Sequence, residues 1–82
     1  MDHHLIASFI EADHDAGAMA RAGHEIMDEA GAKFLGARET MLPGEIAMNW
    51  GVEATKSRAA TRDLREAGFK VKVQMMQLEE IG

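Results

Sequence analysis

Up to Gly68 the apolar positions of this chain recur at helical spacings; beyond it they alternate. Asp2 can cap a first helical segment that puts Leu5, Ile6, Phe9 and Ile10 on one face. A second helical stretch runs from about Asp15 to Ala30. Its Met19, Ala22, Ile26 and Ala30 step by three or four residues, and Gly31 is placed to end it. Gly17 and Gly23 each weaken such a helix by ~1 kcal/mol relative to Ala. Residues 32–37 read either as a short strand or as a poor helical turn. Pro43 suits the first turn of a helix over 43–50, where its missing N–H has no partner to lose, and that helix puts Ile46, Ala47 and Trp50 on one side. A longer helix follows from about Glu53 to Ala67, ended by Gly68. Phe69, Val71, Val73 and Met75 then alternate with Lys70, Lys72 and Gln74, the pattern of a strand with one buried face. Residues 77–82 read as a short turn or a frayed end.

Composition narrows the class. The 82 residues allow one domain, and 46% apolar with 28% charged residues is ordinary for a globular chain. A chain this short buries only ~60% of its unfolded surface. With no Cys, neither disulfides nor thiolate zinc sites can support it, which leaves dimerisation. No basic leader precedes the apolar group 5–10, and that group is too short for a membrane span. The sequence therefore predicts a cytoplasmic protein with no membrane partner.

Charge is unevenly divided. The net charge is −5, and residues 1–40 carry all of it: eight acids against Arg21, Lys33 and Arg38. Residues 41–82 are balanced, with every base between Lys56 and Lys72. An acidic chain is a poor non-specific coat for nucleic acid, yet one helix can still present a basic face.

The segment from Pro43 to Arg62 resembles a helix-turn-helix. Ile46 meets the second helix, Ala47 is the small residue at the close approach, Gly51 makes the turn, Trp50 and Val52 flank it, and Ala60 is the small buried residue of the second helix. Ser57 stands where that motif usually has an aliphatic residue, and Glu53 opens the second helix. With the strand after Gly68, residues 41–76 resemble a winged helix-turn-helix with a reduced wing, or with a strand completed by another chain. The expected architecture is mainly α: one domain over 1–82, with an acidic N-terminal helical region (1–31), a helix-turn-helix (43–67) and one wing-like C-terminal strand (69–76).

At about 100° per residue, Ser57, Ala60, Leu64 and Ala67 form an inward stripe, and Thr55, Arg58, Arg62 and Arg65 an outward one. The resemblance implies a transcriptional regulator that reads double-stranded DNA in the major groove with helix 53–67. Thr55, Arg58 and Arg62 would face base edges, and Lys56, Arg65, Lys70 and Lys72 would hold phosphates. A homodimer would form through Leu5, Ile6, Phe9 and Ile10. The alternative is a small acidic interaction or inhibitor protein of the phage DNA-mimic or anti-CRISPR kind. It would use Asp13, Asp15, Glu25, Asp28 and Glu29 against a protein target with a basic groove.

Other chemistry finds little support. His14 and His24 are ten residues apart, ~15 Å along a continuous helix, and cannot share one ion; no metal and no cofactor is expected. With no Cys, no Tyr, no evident base for Ser8 or Ser57 and no phosphate-binding glycine loop, no enzymatic activity is expected.

Overall fold

In the computed structural model, which describes residues 2–75, the chain begins with a strand. Strand β1 (Asp2–Ile10) buries Leu5, Ala7 and Phe9 and leaves His4, Ile6, Ser8 and Ile10 half-buried, a period of two. This corrects the expected first helix. The helical reading paired Leu5 with Phe9 and Ile6 with Ile10 and passed over Ala7, whose small side chain completes the buried row. After a short 3-10 turn (Glu11–Asp13) comes α1 (Ala16–Glu29), capped by the Asp15 carboxylate, which accepts from Gly17 N at 3.0 Å and Ala18 N at 3.2 Å.

The larger correction concerns 43–53. Pro43 and Gly44 are the central residues of a tight turn, closed by Glu45 N donating to Leu42 O at 3.1 Å, with Gly44 at φ +80°. Proline second and a positive-φ glycine third define a type II turn. The turn joins β2 (Lys33–Glu39) to β3 (Glu45–Glu53) as a hairpin. Ile46, Ala47, Trp50, Gly51 and Val52 therefore lie along a strand. There is no helix at 43–50, no glycine corner at Gly51 and no helix-turn-helix, and the mainly α expectation fails with them.

Helix α2 (Ala54–Glu66) follows directly, with Ser57, Ala60 and Leu64 buried as its periodicity requires, and Thr61 buried beside them. The predicted wing is β4 (Lys70–Met75), which pairs with β1 of the same chain rather than with another chain. Residue 76 and the expected tail 77–82 lie outside the described residues.

The four strands form one antiparallel sheet in the order β2-β3-β1-β4. The element order β-α-β-β-α-β on such a sheet is the ferredoxin-like, or split βαβ, arrangement, an α+β fold. Both helices contribute to a single core with one sheet face: Met19 and Met27 of α1 and Ala60 and Leu64 of α2 join Leu5, Phe9, Met48, Trp50 and Val52. Leu5 and Phe9 are thus covered by the chain's own helices, which removes them from the expected dimer contact. The opposite sheet face carries no helix among the described residues. No described helix is long and apolar enough to cross a membrane.

Helix α1 comes close to the sheet at Gly23. A Cβ there would lie 3.0 Å from Trp50 Cη2 and 3.2 Å from Phe69 Cζ. Substitution Gly23→Ala gains ~1 kcal/mol of helix propensity but overpacks two rigid rings, at a cost of about 1–3 kcal/mol. The expected result is a net loss of about 1 kcal/mol, read as a lower urea midpoint from the fluorescence of Trp50, the only tryptophan.

Candidate functional site

Helix α2 lies over β1 and β4, and β4 is an edge strand, so the outer flank of the helix and the free edge of the sheet enclose a groove. Its volume is about 750 Å³. Three features define its chemistry. At one end His3 of β1 reaches across to α2, where the Ser57 hydroxyl and His3 Nδ1 share a hydrogen bond of 2.9 Å. In the wall, the Thr61 hydroxyl is buried and has no hydrogen-bond partner. Along the rim stand Arg58, Arg62 and Arg65, each about one helical turn from the next.

The arginines are differently held. Arg65 Nη2 donates to the Val71 carbonyl of β4 at 3.3 Å, which fixes that side chain against the edge strand. Arg62 Nε donates to Asp63 Oδ1 at 3.3 Å, but the Arg62 side chain is 66% exposed, so the pair holds little energy and yields readily. No ion pair occupies Arg58 among the described residues. Among the described residues Glu66 is the one carboxylate lining the groove, and Val73, 44% exposed, adds an apolar patch beside it.

The structure divides the predicted DNA-binding set. Thr55, Lys56, Arg58, Arg62 and Arg65 all lie exposed on α2, as the helical projection expected. Only the three arginines line the groove; Thr55 instead bonds Glu53 at 3.5 Å. Lys70 and Lys72 stand across from Ser8 and Ile6, on the helix-free face of the sheet, and do not line the groove with the arginines.

The acidic set is dispersed as well. Asp15 caps α1, Asp13 is in the 3-10 turn, and Glu25, Asp28 and Glu29 are exposed along α1. Among the described residues no cluster of three or more His, Asp or Glu is arranged to hold a metal. His14 packs edge-on against Phe9, and His24 against Phe34 and Trp50.

Sequence reasoning missed His3, Ser57 and Thr61 as site residues. Ser57 was visible only as a polar residue on an otherwise apolar stripe, and His3 lies 54 positions from its partner.

No family model matches the chain, and no curated protein matches it. Among solved structures, it is similar to a chain described as an unknown protein from Galdieria sulphuraria, with a TM-score of 0.59 and 10% sequence identity. The match covers 93% of this chain and 49% of that one, so the present chain spans about half the length of that protein. At this identity the likeness shows the fold alone.

Proposed function

We propose that this domain is a recognition module that takes an anionic group, carboxylate or phosphate, in the groove between α2 and β4. The Thr61 hydroxyl carries the reading. A buried polar group without a partner costs about 1–3 kcal/mol, and native proteins leave few such groups. The hydroxyl oxygen is sealed beneath the groove surface, so an oxyanion supplies the missing acceptor once the side chains over Thr61 give way to it. The same oxyanion meets guanidiniums, which bind carboxylate and phosphate through two parallel N–H bonds. Arg58, with no ion pair, and Arg62, only weakly held by Asp63, can turn to it, while Arg65 is anchored to the edge strand.

Binding alone accounts for the polar groups present. The His3 ring is engaged by Ser57, which is 4% exposed and poorly placed to attack a substrate. The duplex-reading proposal loses the corner that would have presented α2 to a major groove, but the arginines that motivated it remain, so a duplex belongs among the polyanions to be titrated.

Titration of 15N-labelled protein with inorganic phosphate and with citrate is expected to move the amides of residues 57–65 and 71–73 saturably. Replacing Arg58 and Arg62 together with Ala should lower affinity about tenfold or more, the scale of one charge-assisted hydrogen bond. Absence of any saturable shift, or shifts elsewhere, rejects the groove. A duplex that binds far more tightly than either probe, and that ignores Thr61, returns the reading to nucleic acid.

Substitution Thr61→Val separates ligand recognition from folding. It keeps the shape and removes the unpaired hydroxyl, so the free protein should gain about 1 kcal/mol of stability in urea. The same variant should bind phosphate more weakly by about tenfold. A loss of stability would mean that the hydroxyl is satisfied within the fold and was never waiting for a ligand.

A further inference from the structure

The helix-free face of the sheet has an ordered pattern of its own. Registers carry three rows across the four strands: Arg38, Ala47, Ser8 and Lys70; Gly36, Asn49, Ile6 and Lys72; and Lys33, Gly51, His4 and Gln74. The outer strands bear the cations, Lys33 and Arg38 on β2 and Lys70 and Lys72 on β4, all exposed. The inner strands bear small and aliphatic residues. Two depressions open on this floor, one of about 470 Å³ reaching Ile6, Ser8 and Ala47, the other of about 260 Å³ beside Leu35 and Asn49. Two of the floor's polar groups are paired: His4 Nε2 donates to Asn49 Oδ1 at 2.8 Å, and Asn49 Nδ2 to the Gly36 carbonyl at 3.4 Å. Among the described residues the carboxylates of this face lie near the ends of the inner strands: Glu45 at one end, which accepts from Thr40 Oγ1 at 2.7 Å, and Asp2 and Glu53 opposite each other at the other.

We infer that this face is a docking trough for a partner helix that is acidic on both flanks and apolar along its contact stripe. Three strand spacings separate the cationic rails, ~14 Å, and an α-helix with its side chains is ~10–12 Å across. Such a helix seats its apolar stripe on Ile6, Ile10, Ala47 and Leu35, and its Glu and Asp residues meet Lys and Arg on either side. Four cations occupy the outer strands, whereas the three described carboxylates sit on the inner strands near their ends, so the rails alone set the sign of the partner's flanks.

Other occupants fit less well. A second copy placed face to face would oppose rails of like charge across a two-fold axis. Single-stranded nucleic acid stacks its bases on aromatic rings, whereas Phe9, Phe69 and Trp50 are buried in the core and Phe34 is paired with Trp50 on the helix-covered side. A lipid surface is flat, and this floor is recessed between its rails.

The probe is a synthetic amphipathic helix with Leu on one stripe and Glu on both flanks, titrated into 15N-labelled protein. Saturable shifts at Ile6, Ser8, Ala47 and Gly51 are expected, with weakening as salt rises. Arg38→Glu combined with Lys72→Glu should lose about tenfold or more in affinity; Arg38→Gln with Lys72→Gln serves should charge reversal unfold the edge strands. Replacing Arg58 and Arg62 with Ala should change nothing, which keeps this proposal distinct from the anion groove. The inference is overturned by equal binding of a Lys-flanked peptide, by shifts confined to 57–65, or by undiminished affinity in both paired variants. It is overturned equally when oligo(dT), a duplex or vesicles of anionic phospholipid bind the same residues more tightly, or when the free protein dimerises through this face.

Discussion

Trp50 sets the sidedness of the whole molecule. One row crosses the sheet from Phe34 through Trp50 and Leu5 to Val73, and its two inner members are sealed, Trp50 at 1% exposure and Leu5 at 0%. Phe34 and His24 stand against the Trp50 ring, with centroids at 5.5 Å and 5.7 Å, while Gly23 lets α1 come down onto it. Burying a side chain of this size removes 150–250 Å² from water, more than any other residue here can offer. Once the ring commits to the helix side, the two-residue period of β3 and β1 sends Ala47, Asn49, Ile6 and Ser8 to the other side. Both proposed surfaces follow from that choice.

The sequence made both helices and the last strand legible, left β2 open between strand and helical turn, and misled on the two inner strands. Helices α1 and α2 and strand β4 fall within a residue or two of their expected bounds, because each is periodic over its full length and each helix is followed by a glycine. The two inner strands failed for a shared reason. An inner strand with apolar or small residues on both faces loses its alternation, and adjacent pairs such as Leu5–Ile6 and Phe9–Ile10 then imitate a helical stripe. In β3 the error was compounded by Pro43-Gly44, which starts a helix in one context and makes a tight turn in another. A helix imagined at 43–50 placed Gly51 at a corner, and the helix-turn-helix resemblance followed from that single mistake.

The candidate site was half legible. The outward arginine stripe of α2 needed only a helical projection, because exposure on a helix is a local property. His3 is long-range information: its pairing with Ser57 exists only once β1 is a strand beneath α2. The same holds for Lys70 and Lys72. Read along the chain they continue the basic run from Lys56, but the sheet's pleat turns them away from the arginines and joins them to Lys33 and Arg38, more than thirty positions upstream.

The two surfaces meet in β1. His3 points to the helix side and bonds Ser57; His4, the next residue, points to the bare side and bonds Asn49. Successive residues of a strand must face opposite ways, so one short stretch of backbone holds a group in each site. Mere adjacency does not make the sites talk to each other. A ligand in the groove affects the trough only through a difference in how it binds two arrangements of β1. His3 and His4 are the part of β1 most open to such a difference, since they are half-buried and precede Leu5, the first fully buried side chain of the strand. Farther along, Leu5 and Ala7 are locked into the core by Trp50 and Met48, so any arrangement that distinguishes the two faces has to be confined to the first two or three residues of the strand.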